Sequence, residues 1–139
     1  MNYDFACVEL CKELSKLCPD VSTGYYWANV GSGYKIFESH NLFNHDQDIE
    51  ECDYLIRLKK VVPAFSVGWL GKQLPYAIKT YYLIQWYNCD VFNLSYAIYG
   101  EMDNSHLFET IQDESEADAR IKMRIKLLKE GLVKVGDVK

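Results

Sequence analysis

The sequence predicts an α+β fold in which an antiparallel sheet, built from two hairpins, carries an N-terminal, a short central and a C-terminal helix. Three observations lead to this class. Apolar residues recur at helical spacing near both ends of the chain, and two internal segments rich in strand-forming residues surround turn sequences. Between these segments, Pro63 and Pro75 bracket a short helical stretch. Because tight hairpins join antiparallel strands, we expect the helices to pack on one face of an antiparallel sheet.

The first element is a helix predicted over residues 4–17, with Asp4 as its N-cap and Pro19 ending it. Its apolar stripe consists of Val8, Cys11, Leu14 and Cys18. Cysteine on such a stripe behaves as a small hydrophobic residue, so we expect these thiols, with Cys7 beside them, to belong to the core rather than to a catalytic site. Cys89 lies in a predicted turn and is the thiol expected to react with a probe.

A first hairpin is predicted over residues 23–37, where two segments rich in strand formers flank a turn sequence at 29–33. This turn explains Gly31-Ser32-Gly33 better than a phosphate-binding loop does, because no helix signal follows it. Residues 38–53 are polar and acidic and are predicted to form a loop. A short strand is expected within residues 55–62.

The central helix is predicted to begin after Ser66, a favoured N-cap residue. The second hairpin has the strongest strand signal in the chain, with one apolar face and a turn at residues 88–90. On its first strand, Ile78, Thr80, Tyr82, Ile84 and Trp86 alternate with Lys79, Tyr81, Leu83, Gln85 and Tyr87. On its return strand, Phe92, Leu94, Tyr96 and Ile98 form one face.

The C-terminal helix is predicted to begin at Asp113, with Glu116 completing a capping-box-like pair. Its buried stripe is Ala117, Ile121, Ile125, Leu128 and Leu132. Acidic residues in the first turn and lysines near the end complement the helix dipole. Gly131 followed by Leu132 fits a Schellman ending.

Length and composition indicate a single domain over residues 1–139. The formal charge of −5 opposes attraction to nucleic acid or to an anionic membrane. Five cysteines without a CxxC motif or a secretory signal predict reduced thiols and a cytoplasmic location. No window approaches 18 uncharged apolar residues, so no membrane association is expected, and the sequence predicts no cofactor.

Two segments resemble small uncharacterised proteins encoded in phage genomes and bacterial prophage regions. Residues 62–70, closed by Leu74-Pro75, are similar to their pattern of Pro-Ala-aromatic-Asp-Leu-Gly-aromatic-Leu, although Ser66 stands where an acidic residue is usual. The second hairpin and the capped terminal helix are similar to the end of those proteins. The resemblance covers about the second half of the chain and implies a phage or prophage origin, but it implies no activity.

Metal binding has one candidate segment, in which nitrogen, oxygen and sulphur ligands crowd together. It contains His40, His45, Asp46, Asp48, Glu50, Glu51, Cys52 and Asp53. The segment lacks the glycine and the spacing of an EF-hand loop and the paired cysteines of a structural zinc site. A solvated acidic loop is therefore the favoured interpretation, and a metal-dependent enzyme using residues 40–53 is a third functional hypothesis.

Nucleic-acid binding through the C-terminal helix is the second hypothesis. The helix carries Arg120, Lys122, Arg124, Lys126 and Lys129. Tyr81, Tyr87 and Tyr99 are predicted, with Leu83, on the less apolar face of the second hairpin, where aromatic rings could stack on bases. The basic residues are expected on the solvent side of the helix rather than beside these tyrosines, which weakens the hypothesis.

The favoured hypothesis is a non-enzymatic accessory protein of a phage or prophage that binds a protein partner or itself. The sequence contains no catalytic constellation, and it has eleven tyrosines, a large number for one core. An aromatic surplus predicts an exposed patch, and such patches often mark interfaces. Tyr81, Tyr87, Tyr99, Lys122 and Lys126 are the predicted interaction residues.

Overall fold

The computed structural model describes residues 4–19, 21, 23–29, 31–38, 61–98 and 106–134. Within these ranges the helices are α1 (Val8–Leu17), α2 (Val67–Gln73) and α3 (Glu116–Lys129). The strands are β1 (Tyr25–Asn29), β2 (Tyr34–Glu38), β3 (Val61–Pro63), β4 (Ala77–Ile78), β5 (Tyr81–Asn88), β6 (Val91–Ile98) and β7 (Ile111–Asp113). The predicted α+β class is confirmed. Of the predicted loop at 38–53 and strand at 55–62, only Glu38 and residues 61–62 belong to the described ranges, in β2 and β3.

The two predicted hairpins lie in two separate antiparallel sheets. The first sheet has the order β2-β1-β3, and the second has the order β4-β5-β6-β7. Glycine is needed in the turn between β1 and β2, because Gly31 and Gly33 have φ angles of 94° and 132°. The turn assigned to Gly31-Ser32-Gly33 from the sequence is therefore confirmed.

The strand predicted to run unbroken from Ile78 is interrupted by a two-residue turn. Lys79 and Thr80 reverse the chain, so that Ile78 pairs with Tyr81 and β4 folds back on β5. Lys79 has a φ of 56° and Thr80 has no positive φ, and a positive φ at the first position alone distinguishes a type II′ turn from type I′. Because directly paired residues share a face of a sheet, Ile78 and Tyr81 point to the same side.

Helix α3 lies between two groups of buried side chains. Ala117, Ile121 and Ile125 belong to a cluster that includes buried residues of α1, α2 and β3. Ala119, Met123 and Leu127 belong to a second cluster with buried residues of β4 and β6. The predicted stripe therefore describes one side of α3 correctly, but the second buried side lies outside the prediction.

The N-caps of α1 and α3 differ from the predictions. Asp4 does not cap α1; its N-cap is Cys7, whose backbone N–H donates to the Asp118 carboxylate at 2.6 Å. Helix α3 is capped by Ser115, whose hydroxyl accepts from the Asp118 N–H, while Asp113 accepts from the Ser115 N–H. Asp118 thus joins the starts of two helices that are distant in sequence.

The other predicted helix ends are confirmed. The Ser66 hydroxyl accepts from the Trp69 N–H and begins α2. At the end of α3, Gly131 has a φ of 71°, and the Leu132 N–H donates to the Leu127 carbonyl at 3.0 Å. These features define a Schellman motif. None of the helices in the described ranges is long and apolar enough to cross a membrane.

Candidate interaction surface

Strand β5 is the most exposed apolar element in the described part of the chain. The large hydrophobic residues classed as exposed are Tyr25, Tyr76, Tyr82, Ile84, Trp86 and Tyr87. Four of the six lie on β5, and Tyr76 immediately precedes β4. Most of the exposed large apolar side chains of the described residues are therefore concentrated on one strand.

The register of β5 and β6 decides which face of β5 meets the core. Cys89 and Asp90 form a two-residue turn, so Leu83 pairs with Tyr96 and Tyr87 pairs with Phe92. Tyr81 and Leu83 consequently pack on the core side of the sheet, against the second buried cluster. These two residues were predicted on a face open for stacking with bases, and this prediction is wrong. The two tight turns impose a register that places Tyr81 and Leu83 on the core face.

The opposite face of β5 carries the exposed apolar stripe. Tyr82, Ile84 and Trp86 follow one another on alternate residues and are 45%, 41% and 38% exposed. We call these three residues the outer stripe. The residues paired with them on β6 are Ala97, Ser95 and Asn93, which are small or polar and are buried. On the outer face of this strand pair, the large side chains therefore belong to β5 and the small or polar ones to β6.

The backbone of β5 is also open along much of its length. Strand β4 pairs only with Tyr81 and Tyr82, and one further bond joins the Leu83 N–H to the Tyr76 carbonyl at 2.9 Å. Since Leu83 bonds on the β4 side, the alternate residues Gln85 and Tyr87 also direct their N–H and C=O groups to that side. In the described ranges no strand pairs with Gln85 or Tyr87 there.

This open edge lacks the features that usually protect the edge of a sheet. Residues 83–88 contain no charged residue and no proline. By contrast, β2 carries Lys35 and Glu38, while β3 is three residues long and ends at Pro63. An uncharged, proline-free run after a tight turn was the sequence signal that could have located this edge.

The other predicted interaction residues do not form one surface with the outer stripe. Tyr87 is 60% exposed but lies on the core side of the sheet, where its ring packs 5.1 Å from that of Phe92. Tyr99 lies outside the described residues. Lys122 and Lys126 lie on α3, which packs on the core side of the second sheet.

The positive charges of α3 are paired rather than gathered in a patch. Lys122 contacts Asp113 at 2.7 Å, and Lys126 contacts Glu130 at 3.6 Å. The Lys126 ammonium also lies 5.1 Å from the ring centroid of Phe108. Each lysine therefore has a nearby group that competes with a phosphate.

The two arginines of α3 were predicted on its solvent side, and this prediction is wrong. Arg124 is buried and donates to the carbonyls of Gln73 and Lys134, at 3.0 and 3.4 Å. Arg120 is partly buried, pairs with Glu116 and donates to the Val67 carbonyl. Both guanidinium groups join α3 to neighbouring segments. Nucleic-acid binding stays a prediction, and this arrangement does not favour it.

Catalytic and metal chemistry find little support in the described residues. The segment at 40–53 lies outside them, and within them no group of three or more His, Cys, Asp or Glu residues is suited to hold a metal ion. Ser95 Oγ and His106 Nδ1 lie 2.5 Å apart, a contact that sequence reasoning missed. Because Ser95 is completely buried, this pair links β6 to the segment before β7 rather than offering a nucleophile to a substrate.

The cysteines of the first helix separate into core and surface positions. Cys11 and Cys18 are buried, as predicted, whereas Cys7 is exposed at the start of α1. Burial raises the pKa of the Cys11 thiol to about 12 and raises the pKa of Cys7 and Cys18 as well. A raised pKa lowers the thiolate fraction near neutral pH and therefore opposes nucleophilic catalysis. Cys89 is exposed in its turn.

Comparison with known proteins gives no assignment. No family model matches the chain, and neither the curated proteins nor the solved structures contain a significant match.

Proposed function

We propose that this chain is a non-enzymatic interaction domain that pairs the open edge of β5 with the same edge of a second copy of the chain. The observation that carries the proposal is the open side of Gln85 and Tyr87, with which no strand of the described ranges pairs, beside an exposed apolar stripe. Exposed edges of this kind accept a further strand through main-chain hydrogen bonds.

The edge is suited to pair with itself. If two copies meet antiparallel about a two-fold axis at Trp86, Gln85 of each copy lies opposite Tyr87 of the other. The backbone groups of these residues then form four hydrogen bonds. Trp86 lies opposite its symmetry mate, and a cross-strand aromatic pair stabilises such a contact.

The charge distribution favours a second copy as the occupant. Each copy carries a formal charge of −5, yet residues 83–88 contribute none of it. The contact therefore brings no like charges directly together, and the remaining repulsion is screened by salt. A charged peptide would find no complementary charge on this edge, whereas an identical uncharged edge needs none.

The biological setting proposed for this domain is a phage or prophage, where it acts as an accessory protein. The support is the resemblance of residues 62–70 and of the C-terminal half described above. The genes encoded beside this one test that setting: neighbouring replication, packaging or structural phage genes support it, and an unrelated chromosomal operon contradicts it.

Charge substitution at Trp86 tests the self-pairing. Sedimentation velocity from 5 µM to 500 µM should show concentration-dependent dimers of the wild-type protein. Trp86→Lys and Trp86→Glu should each weaken the dimer at least about tenfold, because each places like charges opposite one another on the proposed axis. An equimolar mixture of the two variants should associate again, since it places lysine opposite glutamate.

A backbone variant provides an independent measurement. Gln85→Pro removes an N–H that points to the open side, so it should weaken the dimer while leaving the β5–β6 ladder intact. Gln85→Thr keeps that N–H and is the matched control. A protein that stays monomeric at 500 µM contradicts self-pairing, and so does a dimer that all these variants leave unchanged.

A further inference from the structure

A second feature, independent of the β5 edge, is a cleft between α1 and the first sheet. Lys12, Ser15 and Lys16 line one side, and Tyr34 of β2 and the residues of β3 line the other. Its volume is about 390 Å³, which is within the range of small-ligand sites. Val61, Val62 and Pro63 are buried and give the cleft an apolar floor.

The polar side of this cleft is positively charged. Lys12 and Lys16 are one helical turn apart and therefore project from the same side of α1. The Lys12 ammonium lies 4.9 Å from the centroid of the Tyr34 ring, a cation–π contact that holds it beside the cleft. Ser15 adds a hydroxyl group to the lining of the same cleft.

These two lysines differ from the positive residues of α3. Among the described residues, no carboxylate lies within ion-pair distance of Lys12 or Lys16. Glu13, the neighbour of Lys12 in sequence, is instead paired with Lys129 at 2.7 Å. Glu9 lies one turn before Lys12 in α1, and no ion pair joins these two side chains. In a chain with a formal charge of −5, two ammonium groups that line one cleft and have no carboxylate partner among the described residues constitute a local site for an anion.

We propose that the cleft binds a small organic phosphate. The phosphate group contacts the ammonium groups of Lys12 and Lys16 and the hydroxyl of Ser15, since two positive charges match the double negative charge of a phosphate monoester. The apolar body of the ligand packs on Pro63 and on the edge of the Tyr34 ring. The proposal concerns binding only and includes no covalent step.

Phenyl phosphate, inorganic phosphate and phenol serve as the three probes. Each is titrated at 50 mM ionic strength while ¹H–¹⁵N spectra of the full chain are recorded. Phenyl phosphate should cause saturable shifts at residues 12–16 and at Tyr34, with at least about fivefold tighter binding than inorganic phosphate. Phenol alone should not saturate. Raising the ionic strength to 300 mM should weaken binding, because the contact is electrostatic.

Matched variants assign the effect to the cleft. Lys12→Gln and Lys16→Gln should each weaken phenyl phosphate binding by about three- to fivefold, the effect of losing a solvent-accessible charge pair. Glu9→Gln should strengthen it. Lys35→Gln, which removes an exposed lysine of β2 that does not line the cleft, should leave it unchanged.

Three results would overturn the proposal: no saturable shifts with phenyl phosphate, equal affinity for phenyl phosphate and inorganic phosphate, or equal loss in Lys35→Gln and Lys12→Gln. Equal affinity for the two phosphates would show that the apolar lining of the cleft does not contribute to binding. Equal loss in the two lysine variants would indicate attraction to the whole surface rather than to the cleft.

Discussion

Strands β5 and β6 pair over eight residues, yet they have opposite surroundings. From Val91 to Ile98, β6 is buried at every position except its two ends. Over the same ladder, β5 is exposed at six of its eight positions. The more exposed strand is the more aromatic one, because β5 contains four aromatic residues and β6 contains two.

The difference teaches that neighbours determine the burial of a strand more than its own composition does. Strand β6 lies between β5 and β7 and is packed by α3 on its core side, and on its other face Asn93 and Ser95 are buried as well. Strand β5 has β4 beside it for only two residue pairs. Apolar side chains on β5 therefore remain at the surface, where they are available for the contact proposed above.

The largest expected effect on this comparison comes from truncating the two side chains that face each other at one position of the ladder. Leu94 of β6 is fully buried, and its partner across the ladder, Gln85 of β5, is exposed. We expect Leu94→Ala to lower the free energy of unfolding by about 3 kcal/mol, because it leaves a cavity in the core. Gln85→Ala should change it by less than about 0.5 kcal/mol. Urea unfolding at 5 µM, where self-association is minimal, measures both, and similar losses would contradict the contrast.

Tyr96 of β6 gives a smaller effect that depends on pH. Its hydroxyl donates to the Pro75 carbonyl at 2.6 Å, so Tyr96→Phe should cost about 1 kcal/mol at pH 8. Burial raises the pKa of Tyr96 above its ordinary value of 10.0, although the positive charge of Arg124 opposes the shift. The folded state therefore retains the phenol proton more strongly than the unfolded state does.

This linkage fixes the direction of the pH effect. Stabilisation by Tyr96 is fully present below about pH 10 and is lost as the pH rises further, by at most about 1.4 kcal/mol per pH unit. The deficit of Tyr96→Phe should therefore shrink between pH 8 and pH 11 in urea unfolding experiments. A deficit that stays constant across this range would show that the phenol proton is not linked to folding.

The smallest expected effect lies in the turn that joins the two strands. Cys89 has a φ of 56°, a conformation that glycine adopts without strain. Cys89→Gly should raise the free energy of unfolding by about 0.5 kcal/mol, because relief of strain exceeds the greater entropy of glycine in the unfolded chain. Asp90 does not have a positive φ, so Asp90→Gly is the control and should destabilise by about 0.5 kcal/mol. Equal effects of the two substitutions would contradict this account of the turn.

Much of the fold was predictable because its signals are local. Ser66 and the Gly131-Leu132 ending act within a few residues of the chain, and both are confirmed. The predicted N-cap Asp4 is wrong for the opposite reason: the group that satisfies the start of α1 is Asp118, 111 residues from Cys7. No pattern near residue 4 contains that information.

The candidate surface shows the same division. The surplus of tyrosines predicts an exposed patch, but some of the residues predicted for it lie elsewhere in the structure. Tyr81 packs on the core side, since the two tight turns set a register that the alternation of residues does not specify. The charge of the two α3 arginines predicts a position in solvent, whereas the carbonyl groups that accept hydrogen bonds from Arg120 and Arg124 become their neighbours only after folding.

By itself, the sequence determined the α+β class, the approximate positions of the hairpins and helices, and part of the core, including Leu14 of α1, Leu94 of β6 and one side of α3, since hydrophobic periodicity and capping act over short distances. Only the tertiary structure decided that the hairpins lie in separate sheets, that α3 is buried on two sides and that no described strand pairs with β5 beyond β4 at its outer edge. These features depend on which elements come to lie beside one another, and β4 is too short to cover the strand that follows it.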